Sequence, residues 1–194
     1  MKPTEDLMYE HRSIKLMLNI MSLISKSIKS KNIFYTNDIE KIVDFLNVYV
    51  DKCHRTKEEK YLYPALLNTK DRDQFDTTEL LNEHTIGNGY LKEISCCVEN
   101  CKIGSAFSCE RIADCMTNFV DLIQNHIQKE ENIYFPLADK LLSEQKQIEI
   151  SGQFQTVENE FLNIGNHKRF VELLNEMTCK YKDKILTDTN QDRF

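Results

Sequence analysis

The sequence predicts an all-α protein: an up-down four-helix bundle with additional C-terminal helices packed outside it. Three observations lead there. Apolar residues recur at helical spacing through almost the whole chain. Five glycines and three prolines among 194 residues leave little turn chemistry for a β fold. Short polar interruptions cut the pattern into four long segments, as antiparallel neighbouring helices require.

Leu7, His11, Ile14, Leu18 and Met21 share the face of a first helix, which fades into the polar stretch 27–32. Thr36, Asn37 and Asp38 offer capping side chains for a second helix, whose inward face is Val43, Leu46, Val50, His54, Glu58 and Tyr61. That helix should end or kink near Pro64, which lacks an amide hydrogen and crowds the preceding turn. After a polar loop over 68–78, Leu80, His84, Gly87, Leu91, Ile94 and Val98 define a third helix, broken at 102–108. Phe119, Leu122, His126, Glu130, Ile133 and Leu137 make the inward face of a fourth, interrupted by Pro136. Ile148, Phe154, Val157 and Phe161 continue the pattern up to a break at Gly165 and Asn166. A last helix over 167–184 then carries Phe170, Leu173, Leu174, Met177 and Tyr181. The expected organisation is one domain over 1–194, with the bundle at about 4–142, a helical extension at 143–186 and a frayed polar tail at 187–194.

A net charge of −6 and a pI near 5.4, without a cluster of Lys and Arg, disfavour nucleic acid and anionic membrane surfaces as partners. With neither a signal-like apolar N-terminus nor an apolar run of spanning length, the expected location is cytoplasmic. The seven cysteines lack the even, loop-rich spacing of a secreted disulfide framework and are expected to be reduced thiols. Cys96, Cys97 and Cys101 could bind a soft metal or relay electrons, but no Cys-x-x-Cys pair supports a tetrahedral site, and small buried thiols are the plainer reading.

The most informative feature is a repeat. His54, Glu58, Glu59 and Pro64 recur at the same offsets as His126, Glu130, Glu131 and Pro136, 72 residues later. A histidine and a glutamate at i, i+4 lie one above the other on a helix, so each copy points an imidazole nitrogen and a carboxylate oxygen at one place. Upstream, Glu10 with His11 echoes Glu83 with His84, and the gaps to the next histidine are 43 and 42 residues. Four of the five histidines thus fall into two nearly superposable units, as two facing helical hairpins would require. A single such pair is commonly a surface ion pair, but nearly equal gaps, identical pairs and equal proline offsets together point to metal binding.

Burying His11, His54, Glu58, His84, His126 and Glu130 in an apolar core would cost on the order of several kcal/mol per unpaired charge. Two divalent cations, each taking two imidazoles and sharing two bridging carboxylates, would offset that cost. Mixed imidazole and carboxylate donors suit iron, with manganese and zinc as further options, and the lack of thiolates argues against structural zinc. Glu59, Glu131, Lys57, Lys129, Glu10 and Glu83 repeat as well and are read as solvated or as supporting the ligands from behind. Gly87 and Gly89 either permit close packing or leave room for a small ligand, with packing favoured. Tyr61 could donate to a bridging group, though core filling is the simpler role.

On these motifs the chain resembles the hemerythrin-like family, the HHE cation-binding domain, over about Leu7 to Leu142. The stretch from Gly165 to Tyr181 also resembles a C-terminal helix of many bacterial members. The resemblance implies two irons: His11 and His54 on one, His84 and His126 on the other, Glu58 and Glu130 bridging, with a solvent-derived oxo or hydroxo bridge. Two departures argue against a reversible oxygen carrier. Asn88 stands where those carriers have a further histidine, and Glu130 replaces an aspartate five residues after the last histidine. His167 is a candidate seventh ligand, the alternative being a helix-terminal or surface histidine.

The function expected is a non-haem di-iron protein that binds or reacts with a small diatomic molecule or peroxide (O2, NO or H2O2) as sensor, scavenger or stress-response protein. A redox or signalling protein partner would carry the output. The alternatives are iron storage, delivery or sensing without turnover, and a true enzyme such as a di-iron peroxidase or NO reductase.

Overall fold

A computed structural model of the chain describes residues 1–31, 36–70, 76–103, 105–161 and 164–191, all of its regular structure helical. Helix α1 is Pro3–Lys31. Its proline lacks only an amide that would be unbonded in a first turn, and Glu5 and Asp6 face the positive end of the helix dipole. Helix α2 spans 36–67, α3 is Thr78–Lys102, α4 spans 106–141, α5 is Glu144–Phe161 and α6 is Ile164–Gln191. Asp76 accepts from the Thr78 amide at the start of α3, and the Ser105 hydroxyl accepts from the Ser108 amide at the start of α4.

Both prolines sit inside continuing helices, not at helix ends. Each follows a π-helical turn, Glu58–Leu62 and Glu130–Tyr134, where the Tyr63 amide bonds back to the Glu58 carbonyl and the Phe135 amide to the Glu130 carbonyl. A wide turn gives the proline ring the room that an α turn denies it. The extra residue per turn also rotates everything downstream. Ile133, expected inward, is half exposed, whereas Tyr63 and Phe135 are buried. A further π stretch, Leu46–His54, precedes the first motif.

Helices α1 to α4 form the bundle, α3 packing along α4 and α1 along α4. Helices α5 and α6 pack chiefly on α1 and α2. A large apolar cluster, including Leu18, Ile42, Ile94 and Met116, fills one end, and a smaller one, including Leu7, Leu66, Leu80, Phe135 and Phe154, fills the other. The repeated His and Glu residues lie between them.

Four sequence expectations meet a different backbone or fall outside the described residues. The loop over 68–78 falls partly on 71–75, outside the described residues. The break at Gly165 and Asn166 is already helical from Ile164. The last helix continues to Gln191, past the expected end near Lys184, since no proline or glycine interrupts 185–191. Residues 192–194 of the expected frayed tail lie outside the described residues. No helix among the described residues is long and apolar enough to cross a membrane.

Candidate metal centre

Each of the four bundle helices brings one histidine to the centre of the molecule, and the π turns of α2 and α4 begin at its two glutamates. His11, His54, Glu58, His84, His126 and Glu130 are all buried, Glu58 and Glu130 completely. The imidazoles meet in pairs. His11 Nε2 and His54 Nε2 are 3.2 Å apart, and His84 Nε2 and His126 Nε2 are 3.0 Å apart. Glu58 lies between the pairs, with Oε1 3.0 Å from His54 Nε2 and Oε2 3.6 Å from His84 Nε2. Glu130 turns Oε2 to both pairs, 3.3 Å from His11 Nε2 and 3.5 Å from His126 Nε2.

The other nitrogen of every ring is committed. His54 Nδ1 donates to Glu10 at 2.7 Å, His126 Nδ1 to Glu83 at 2.9 Å, His84 Nδ1 to Glu59 at 2.5 Å and His11 Nδ1 to Glu131 at 3.0 Å. An ionised carboxylate can only accept, so a proton sits on each Nδ1, and each Nε2 can offer its lone pair once any proton of its own has left. Glu10 and Glu83 precede a histidine of the repeat, and Glu59 and Glu131 follow its glutamates. The repeat therefore contained its own supporting layer, and the structure places these four carboxylates against the rings instead of in open solvent.

Bases stand behind most of that layer. Lys57, fully buried, donates to Glu10 at 2.7 Å, Asp6 at 2.9 Å and Glu158 at 2.6 Å, with its ammonium 5.2 Å from the centre of the Phe154 ring. Lys129 donates to Glu83 and to Glu79, and Lys15 donates to both Glu131 oxygens. Burial works against the charge on Glu10, Glu83 and Glu131, but the facing histidines and lysines outweigh it and hold these carboxyls below their usual range. Glu59 is lowered by its bond from His84. For Glu130, burial again opposes ionisation, and His126 and His11 more than reverse it. Burial alone would lower the pKa of His54 and His126, yet Glu58 with Glu10, and Glu130 with Glu83, raise them to about 10 and about 9. Protons and a cation thus compete for the same nitrogens.

Tyr63 is the residue that sequence periodicity missed. Its hydroxyl donates to Glu130 Oε1, and its ring lies parallel to His84 with centroids 6.5 Å apart. Burial, then the charges of Glu58 and Glu130, raise its pKa well above the ordinary phenol value, so it remains a donor. Tyr61 instead packs against Phe154. The position matching Tyr63 in the second copy is Phe135, stacked on His11 at 5.5 Å.

Asn88 faces Arg55 and not the imidazoles, accepting from its Nη1 at 2.7 Å and donating to Asp51 at 3.0 Å. Arg55 also donates to the His84 carbonyl at 3.1 Å, and a Cβ on Gly87 would come within 3.0 Å of the Arg55 guanidinium. Gly87 therefore serves packing, and Gly89 borders open space. His167 is exposed on α6, away from the imidazole pairs.

The donor set fits a cation. Glu58 Oε1, Glu58 Oε2 and Glu130 Oε2 are buried without a hydrogen-bond partner, and all three face Nε2 atoms for which protons and a cation compete. Such a cluster of acceptors is stable only with positive charge at its centre. Donor atoms of His11, His54, Glu58 and Glu130 lie within 4.8 Å of one another, as do those of Glu58, His84 and His126. The acidic group Asp6, Glu10 and Glu158 is equally compact, but the Lys57 ammonium bonds all three.

Comparison with curated proteins and with solved structures finds no match for this chain. The family described as the hemerythrin HHE cation binding domain matches residues 2–138, which takes in the whole donor cluster and all but the end of the bundle. The chain belongs to the hemerythrin HHE cation-binding family.

Proposed function

We propose that the chain is a non-haem di-iron protein of the cytoplasm that reacts with a small oxidant, O2, NO or peroxide, as a sensor, scavenger or stress-response protein. One observation carries this reading: three buried carboxylate oxygens without donors face two pairs of imidazole nitrogens. His11 and His54 would hold one cation and His84 and His126 the other. Glu58 and Glu130, each facing both imidazole pairs, would help hold both cations. Mixed nitrogen and oxygen donors without thiolate favour iron, with manganese or zinc as competitors. When bound, a pair of irons supplies redox equivalents and open coordination positions.

The protein's own groups favour reaction at the second position. Donor atoms of four residues lie close together at the first and of three at the second, where Glu130 offers only Oε2, its Oε1 being taken by the Tyr63 hydroxyl. The Nδ1 carboxylates fix ring orientation and raise the basicity of the coordinating nitrogens. The apolar clusters on both sides exclude bulk water. Seven free thiols accord with a reducing compartment.

The test is metal analysis followed by reaction. Protein reconstituted with iron should carry about two irons per chain. Anaerobic reduction, followed by O2, NO or H2O2 and visible absorption, identifies the oxidant. Repeated turnover with an electron donor marks an enzyme, and a single slow oxidation marks storage or sensing. Unchanged metal content in both His54→Ala and His126→Ala would refute the ligand assignment.

A further inference from the structure

Two thiols face each other where α3 turns into α4, the end of that hairpin remote from His84 and His126. Cys101 lies in the last turn of α3 and Cys109 near the start of α4, on either side of Ser105, whose side chain caps α4. Their sulfurs are 3.0 Å apart, about 1 Å beyond a disulfide bond of ~2.05 Å. Both converge on one acceptor, the Ser105 carbonyl, 3.5 Å from Cys101 Sγ and 3.6 Å from Cys109 Sγ. Cys101 is 9% exposed and Cys109 is half-buried. Burial, together with the facing Cys109, pushes the Cys101 thiol up to about 12. Both its shielding and its retained proton make Cys101 the second sulfur to react.

We propose that Cys101 and Cys109 are a two-electron redox pair that small disulfides oxidise to an intramolecular disulfide. Cys109 loses its proton to solvent and attacks one sulfur of glutathione disulfide. The reagent's S–S bond breaks, a Cys109–glutathione bond forms, and one glutathione leaves as thiolate. Cys101 then loses its proton and attacks Cys109 Sγ, forming the internal bond and expelling the second glutathione. Two protein thiols are oxidised and one disulfide is reduced to two thiols, with no step at the metal centre. The pair therefore stands or falls separately from the di-iron reading.

The test uses the full metal-loaded chain, reduced first and then equilibrated in glutathione buffers of rising disulfide content. Samples are quenched in acid, alkylated and mapped by peptide mass. The expected result is a linked peptide joining Cys101 to Cys109, while exposed Cys96 and Cys179 appear alkylated or as separate glutathione adducts. Cys101→Ser should trap the Cys109–glutathione adduct at about ten times its wild-type occupancy, since the resolving thiol is gone. Cys109→Ser should leave Cys101 alkylated. Wild-type Cys101 and Cys109 recovered as free thiols, or as two separate adducts without the link, at the most oxidising ratio would overturn the proposal, and that measurement needs no variant.

Discussion

The α1/α2 half and the α3/α4 half are built from one pattern, yet they differ in what stands behind the ligands. Lys57 and Lys129 occupy equivalent places, each one residue before a central glutamate. Lys57 is sealed, with a third carboxylate from Glu158 and the Phe154 ring of α5 over it. Lys129 pairs with Glu79 and Glu83, and its side chain is 28% exposed. The equivalent aromatics differ too: Phe135 stacks on His11, whereas Tyr63 lies beside His84 and ties down Glu130. Helices α5 and α6 pack chiefly on the first half. Repetition sets the inward His and Glu side chains, and the C-terminal extension gives the two halves unequal cover.

The comparison breaks most completely at the residue common to both halves. Glu58 turns one oxygen to each imidazole pair, so Glu58→Ala should lose both cations together, seen as metal content falling from about two per chain to well under one by atomic emission. Loss of a single cation would mean the halves bind independently. Next comes the lysine pair. Lys57→Met leaves Asp6, Glu10 and Glu158 crowded without their cation and should cost about 3–5 kcal/mol of stability, the range for breaking a buried ion pair. Lys129→Met acts at a partly solvated site and should cost about 1 kcal/mol or less. Equal melting temperatures for the two variants would remove the distinction between a sealed and an open half.

A smaller effect separates the carboxylates on Nδ1. Glu10 is buried against His54, and Glu59, 42% exposed at its side chain, reaches His84 from the solvent side. Glu10→Gln should weaken cation binding by about 10–100-fold, the usual range for a residue that orients a metal-bound histidine. Glu59→Gln should fall at or below the lower end, because water can replace it. Competition with a chelator measures both.

The bundle and the convergence of its six inward His and Glu side chains are legible because periodicity and repetition are properties of the chain itself. Leu7, Ile14, Leu80, Leu91 and Ile94 are buried as their spacing implies. Tyr61 fills the smaller apolar cluster as expected, but Ile133 turns outward and Tyr63 and Phe135 turn inward, because the turns at Glu58 and Glu130 are π-helical and do not keep an α period. The matched prolines were the clue, since a proline inside a helix that continues demands a wider turn. Glu10, Glu83, Glu59 and Glu131 were visible as part of the repeat, but their bonds cross between helices and no local spacing encodes them. Glu158 carried no signal at all. It lies in the extension, and only tertiary packing brings it to Lys57.

Tyr63→Phe makes the surroundings of the His84 and His126 position resemble those of the His11 and His54 position at one atom. The substitution removes the donor to Glu130 Oε1 and leaves the ring beside His84 in place. Loss of a hydrogen bond to a charged acceptor should cost about 1.5–3 kcal/mol in the cation-free protein. With a cation present the cost should shrink, because the released oxygen gains a partner of opposite charge. If the hydroxyl is what keeps the second position short of donors, the variant should bind its second cation more tightly, by a few-fold to about tenfold in a stepwise titration. It should also react more slowly with the oxidant, since a further protein oxygen now competes for the open place. A variant that binds its second cation no better and reacts at the wild-type rate would show that cover by α5 and α6, and not Tyr63, makes the two positions unequal.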